Sequence, residues 1–179
     1  MPSFRLIRSE LRYTGRNFKI REDLLRTPSG RETKYDIVEH FGSVILLPID
    51  RSGNLLFVRQ YRHAAGGDLL ELPAGTRESG EPYDTCAARE IREETGMAAG
   101  KMEKIGEFYL APGYSTEFMA VYLATELRPD PLKADLDEFL QIEKIPIPEA
   151  LHMALQGNLP DAKSLAALFL ARPSLEKYL

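Results

Sequence analysis

Three glutamates, Glu90, Glu93 and Glu94, crowd the segment Arg89-Glu90-Ile91-Arg92-Glu93-Glu94. If the segment is helical, Glu90 and Glu94 share one face and Glu93 lies one step around. Taking Ala87 as reference, Ile91 lies about 40° to one side, with Glu94 and Glu90 about 20° and 60° to the other, by the angular step of an α-helix. Both carboxylates therefore border the apolar stripe. They also sit in the last turns before Gly96, where the helix macrodipole disfavours negative charge. A cation reverses both the mutual repulsion and the dipole penalty. Oxygen donors with no histidine nearby select a hard ion, Mg²⁺ with Mn²⁺ as a substitute, over zinc or copper. The competing reading is a solvated face on which Arg89 and Arg92 pair with the glutamates, Arg89 and Glu93 having ordinary i,i+4 spacing.

The elements that must position this cluster are visible around it. Residues Pro82 to Thr95 read as a helix, with Pro82 in the first turn, a helix-forming interior and Gly96 at the C-terminal cap. Upstream, Phe18 to Leu24 and Lys34 to Glu39 flank the turn Thr27-Pro28-Ser29-Gly30 and suggest a hairpin. Strands are expected at Ser43 to Ile49, Leu55 to Gln60 and Leu69 to Leu72, the last ended by Pro73-Ala74-Gly75. Downstream, Lys104 to Tyr109, Phe118 to Thr125 and Phe139 to Ile145 read as strands. Helices follow from Pro148 to Gln156 and from a capping Asp161 through Ala171, stopped by Pro173. Strands on both sides of one central helix, with helices at the end, indicate a mixed α/β (α+β) sandwich.

Composition narrows the function classes. The chain has 179 residues, 44% apolar and 28% charged, which suits one soluble globular domain with a real core. The longest apolar run, Val44 to Ile49, is strand-sized, so no membrane partner is expected. The start, MPSFRLIRSE, lacks the apolar region of a signal peptide, and a cytoplasmic protein is expected. A single cysteine, Cys86, excludes an intrachain disulfide and reads as a small core residue of the helix. A net charge of -4 without a basic block disfavours nucleic acid as a partner. His40, His63 and His152 have no mutual spacing that suggests metal ligation.

Gly75, Glu81 and Arg89 through Met97 together resemble the Nudix box, GX5EX7REUXEEXGU with U a bulky aliphatic residue, and every fixed position matches. The loop–helix–loop that such a box requires is what the residues predict independently. The resemblance implies a Nudix-type α/β/α sandwich with a mixed sheet and an N-terminal β-hairpin extension. It implies hydrolysis of a nucleoside diphosphate linked to another group. Carried over by position, Glu90 and Glu94 are the principal metal ligands, the Ala74 carbonyl a further one and Glu93 an auxiliary one. Arg89 then orients the glutamates, and Gly75 and Gly96 permit the turns. Divalent cations at such a site neutralise the diphosphate and lower the pKa of a bound water, and a carboxylate removes the proton.

Other segments are similar to the ADP-ribose and nucleoside diphosphate sugar subgroup. They are Val58-Arg59-Gln60-Tyr61-Arg62, Leu70-Glu71-Leu72-Pro73-Ala74-Gly75, Ala111-Pro112-Gly113-Tyr114-Ser115-Thr116-Glu117 and Asp161-Ala162-Lys163-Ser164. This resemblance implies substrate contacts at Arg62, Glu71, Pro112 and Gly113. A planar guanidinium at Arg62 suits a phosphate. Ala134 to Phe139 stands where the subgroup has an acidic cluster that supplies the base, yet its second member is Leu136. The role then passes to Asp137, Glu138 or Glu117, with Glu138 favoured. Residues 1–42 are expected to serve a homodimer and to contact substrate, and 43–179 to form the catalytic unit. The activity expected is Mg²⁺-dependent cleavage of a small-molecule nucleoside diphosphate sugar, above all ADP-ribose to AMP and ribose 5-phosphate. The alternatives are another such sugar, GDP-mannose or UDP-glucose, and a non-catalytic nucleotide-binding module.

Overall fold

In the computed structural model, which describes residues 3–133 and 139–179, the chain separates into two units. The first comprises the chain up to Gly42 with Phe108–Met119, the second Ser43–Glu107 with Ala120–Leu179. Glu138, favoured above as the base, and Leu136 and Asp137 lie outside the described residues.

The first unit is built on an antiparallel sheet of β1 (Arg5–Thr14), β2 (Phe18–Arg26) and β3 (Glu32–His40), in that order. The turn at Thr27–Gly30 closes the expected hairpin, with Arg26 opposite Glu32 and Gly30 at φ 88°. Only glycine adopts that φ at no steric cost. The sequence reading did not anticipate β1. Its two register shifts break the alternation that would have signalled it, and it is exposed almost throughout. Arg12 of β1 pairs across to Glu22 of β2 at 2.9 Å, and Lys34 of β3 reaches the same carboxylate at 3.0 Å. Residues 110–117 cling to β3: the Val38 amide donates to the Tyr114 carbonyl at 2.8 Å and the His40 amide to Thr116 Oγ1 at 2.9 Å.

In the second unit β4 (Ser43–Pro48) is buried at all six positions, which is why it reads as an unbroken apolar run. It lies in a four-stranded sheet of order β7-β4-β9-β8, where β7 is Ala74–Thr76, β8 is Met97–Tyr109 and β9 is Phe118–Pro129. A second sheet has the order β10-β5-β6, with β5 at Asn54–Arg62, β6 at Gly67–Glu71 and β10 at Gln141–Pro146. Helix α1 (Tyr83–Thr95) packs on β4 and β7, α3 (Ala162–Leu175) also packs on β4, and α2 (Ile147–Leu155) packs on α3 and β10. Helices thus cover the sheet whose centre is β4, the sandwich the sequence led us to expect. The core joins Cys86, Ala87 and Ile91 of α1 to Val44, Leu46, Leu56, Ala120 and Tyr122. None of the described helices is long and apolar enough to cross a membrane.

Several boundaries differ from expectation. Strand β8 starts at Met97 rather than Lys104, because the chain leaves the left-handed cap at Gly96 (φ 68°) directly into the sheet. Residues Ala74 to Thr76, expected as a loop, pair with Ile45, Val44 and Ser43 as β7. Strand β10 begins at Gln141, and Phe139, expected to start it, is 85% exposed. Pro173 lies inside α3 rather than stopping it. The amide it lacks would have bonded the carbonyl of Phe169, a residue on the exposed face of the helix.

Candidate active site

The site of the carboxylate cluster starts with β7. Its pairing to β4, together with the Leu46 amide donating to the Pro73 carbonyl at 2.9 Å, fixes the backbone of Ala74 and Gly75 beside α1. The Ala74 amide donates to Glu94 Oε2 at 3.0 Å. A Cβ built on Gly75 would fall within 3.0 Å of Cδ and both oxygens of Glu90. Glycine at this position leaves the Glu90 carboxylate the space that a side chain would otherwise fill. Glu90 and Glu94 are only 7% and 5% exposed, which excludes the reading of a solvated charged face.

Arg89 ties the cluster together. Its Nε and Nη2 grip both oxygens of Glu81 at 3.0 and 2.8 Å. Its Nη1 donates to Glu90 Oε1 at 2.6 Å and Glu93 Oε2 at 2.8 Å, and Nη2 also reaches the Thr76 carbonyl at 3.2 Å. The pair with Glu93 is the i,i+4 contact weighed in the sequence, and it coexists with burial of Glu90 and Glu94. Hydrogen bonds from Arg89 hold the Glu81 carboxyl down at about 2, against desolvation that pushes it up. The same bonds raise the Arg89 guanidinium further above its ordinary range. Glu81 also accepts from the Glu78 amide at 3.0 Å, so this one carboxylate closes the loop before α1 and anchors the arginine. Burial, followed by the charge of Glu90, pushes the Cys86 thiol up to about 12, as suits a core residue with no nucleophilic role.

A second group of predicted residues belongs to the same unit. Arg62 at the end of β5 forks onto Glu71 at the end of β6, Nε to Oε1 and Nη2 to Oε2, both at 2.8 Å. Lys163 on α3 contacts Glu71 as well, and Asp161 at 2.9 Å. Burial raises the Glu71 carboxyl, but the bonds from Arg62 and the charge of Lys163 outweigh it and the net shift is downward. The charge of Glu94 is felt at Arg62, which links the two groups. Sequence reasoning missed Lys163 as a member. The segment Asp161-Ala162-Lys163-Ser164 was visible, but the 92 residues between Glu71 and Lys163 leave no local pattern to connect them.

Pro112, Gly113 and Glu117 belong to the first unit. Pro112 and Gly113 are exposed; Glu117 is half-buried, its amide donating to Ser115 Oγ at 3.1 Å. Among the described residues no three His, Cys, Asp or Glu side chains form a ready-made metal cage. The donors on α1 are all carboxylates and fit a hard divalent cation in chemistry, with Arg89 holding two of them.

Residues 39–168 match the model of the NUDIX domain. The chain belongs to the NUDIX family. It is 39% identical over 170 residues to the ADP-ribose pyrophosphatase of Mycobacterium tuberculosis, covering 92% of this chain and 81% of that protein. It is 33% identical over 164 residues to the ADP-ribose pyrophosphatase of Bacillus subtilis, covering 90% and 89%. A solved structure described as an ADP compounds hydrolase superposes with a TM-score of 0.85 at 24% identity, over 97% of this chain and 95% of that one, and shares its fold. The matched NUDIX segment takes in β4 through the first half of α3, and so contains Arg62, Glu71 and the whole Gly75–Met97 motif.

Proposed function

We propose that this NUDIX protein hydrolyses the diphosphate bond of a nucleoside diphosphate sugar, ADP-ribose above all, with Mg²⁺ as the working cation. The observation that carries the reading is the pair of buried carboxylates, Glu90 and Glu94, packed against Gly75 and Ala74. Burying two like charges in the last turns of a helix costs stability that a structural role does not recover. The full-length relatives named ADP-ribose pyrophosphatase point to the substrate.

In this mechanism Glu90 and Glu94, with the Ala74 carbonyl and Glu93, would hold a divalent cation, which would supply charge neutralisation of the diphosphate and a lowered pKa for water. Arg89 keeps Glu90 and Glu93 in place. Arg62 binds a phosphate through its guanidinium, held by Glu71, with Pro112 and Gly113 shaping the substrate side. Glu138, or Glu117, takes the proton from the attacking water. The water oxygen adds to one phosphorus, and the bond from that phosphorus to the bridging oxygen breaks. AMP and ribose 5-phosphate leave. The working form is a homodimer in a cytoplasmic setting, built on the first unit, where β1 to β3 expose Leu6, Leu11, Tyr13, Phe18 and Tyr35.

The test is to incubate the protein with ADP-ribose, GDP-mannose and UDP-glucose, with Mg²⁺ and with EDTA, and to separate the products. Metal-dependent AMP from ADP-ribose is expected; binding without any product refutes the enzyme reading. Glu138→Gln and Glu117→Gln, compared side by side, identify the base by a loss of at least ~10²-fold in kcat. Light scattering of Leu11→Glu reads the dimer, and a wild-type monomer refutes it.

A further inference from the structure

The contacts around Glu71 exceed what burial of one carboxylate requires. Its side chain is 2% exposed, and the bidentate fork from Arg62 already satisfies both oxygens. Lys163, itself 13% exposed, adds a second cation to the same group. Lys163 is in turn held by Asp161 at 2.9 Å. Asp161 caps α3, accepting from the Ser164 amide at 3.0 Å, where the helix N-terminus supports its negative charge. Ser164 Oγ accepts from the Leu72 amide at 2.8 Å, which pins the start of α3 to the end of β6. A chain of alternating charge thus runs from the α3 N-terminus through Asp161, Lys163 and Glu71 to Arg62.

Arg62 stands at the open end of this chain, 40% exposed at its side chain. It spends Nε and Nη2 on Glu71, and among the described residues Nη1 has no protein partner. An arginine paired to a lone carboxylate is electrically neutral toward an approaching anion. Here two carboxylates and two cations sum to zero, whereas without Lys163 the sum is one negative charge, beside Glu94, whose charge also reaches Arg62. A diphosphate would then meet net repulsion.

We propose that Lys163 is a positioning residue for diphosphate binding: it offsets the second carboxylate of the group, Asp161, so that the cluster through which Glu71 orients Arg62 carries no net negative charge toward substrate. This rests on the reading above that Arg62 engages the substrate phosphates. Lys163 touches no substrate and acts through Glu71 and Arg62, so its effect falls on binding rather than on the chemical step.

The test is steady-state kinetics with ADP-ribose on Lys163→Met, Lys163→Arg, Arg62→Ala and the double variant Arg62→Ala/Lys163→Met. Lys163→Met is expected to raise KM about tenfold while kcat moves by less than about threefold. Lys163→Arg restores KM to within about twofold, since the positive charge is what matters. In the Arg62→Ala background, Lys163→Met changes KM by less than about twofold, because the residue through which it acts is gone. Should Lys163→Met fail to fold, Lys163→Gln carries the same expectation. A fall in kcat at constant KM, or a KM effect that persists in full without Arg62, overturns the proposal. If Arg62→Ala leaves KM unchanged, the role of Arg62 itself fails. If Arg62→Ala raises KM and Lys163→Met does not, the proposal alone fails.

Discussion

Gly75→Ala tests the geometry of the site with a single methyl group. The φ of Gly75 lies outside the left-handed region, so alanine is compatible with the backbone and any effect comes from the added carbon. That carbon would fall within 3.0 Å of the Glu90 Cδ and both its oxygens. The backbone cannot retreat, because Gly75 pairs with Val44 of the wholly buried β4. Glu90 must move instead. Overpacking of this kind costs about 1–3 kcal/mol, and a domain of this size loses about 2–4 °C of Tm per kcal/mol, for a fall of about 2–12 °C. If Glu90 is a metal ligand, its displacement costs turnover far more than stability, by at least ~100-fold, or about 2.7 kcal/mol in the barrier. Thermal melts and kinetics over a range of Mg²⁺ read the two effects separately. Gly67→Ala is the control, since a Cβ there meets nothing within 4 Å and needs no left-handed φ. A folded Gly75→Ala protein that keeps more than about a third of wild-type turnover refutes the argument.

Glu94→Gln keeps the size of the side chain and an oxygen for the Ala74 amide, so the fold is expected to persist while Mg²⁺-dependent turnover is lost. Mg²⁺ at ~100 times its Kd is expected to stabilise the wild type by about 2.7 kcal/mol, a rise of roughly 5–11 °C in Tm. The Gln variant shows no such rise; an equal rise in both places the cation elsewhere. The Glu81 carboxyl, held at about 2 by Arg89, predicts a pH dependence of stability. Its folded value lies below the ordinary 4.5, so the contribution of the pair is full above that pH and drains away as pH falls toward about 2. Urea denaturation at pH 6 and about pH 3 is expected to show a gap between wild type and Glu81→Gln that narrows at the lower pH. A gap that stays constant contradicts the assignment.

What was legible in the sequence follows from which interactions are local. Helix α1 was readable because its apolar stripe, Gly96 and clustered glutamates all lie within one segment. The buried run of β4 and the Thr27–Gly30 hairpin were readable for the same reason. Strand β1 was not, since it buries almost nothing and two register shifts interrupt its alternation. Strand β7 was not, since three residues have no period and their conformation comes from β4. In the site, Glu90, Glu93, Glu94 and Arg89 follow from spacing along one helix. The partnership of Lys163 with Glu71 depends on α3 docking beside the end of β6, which no spacing encodes.

The two readings of the glutamate cluster, ion pairs on one hand and a cation site on the other, are compatible in this arrangement. Arg89 takes one oxygen from each of Glu90 and Glu93 and both oxygens of Glu81, while Glu94 receives its amide contact from Ala74. The ion pairs therefore orient the carboxylates without fully neutralising them, since the single guanidinium faces three glutamates and Glu94 adds a fourth. A lysine would not serve, because the contacts need donors diverging from a rigid plane toward Glu81 on one edge and toward Glu90 and Glu93 on the other. The residual negative charge is tolerated because Cys86, Ala87 and Ile91, on the stripe that the two carboxylates border, anchor α1 in the core. Apolar burial along the helix thus offsets the electrostatic cost of the carboxylates beside it, and a divalent cation bound there would lower that cost.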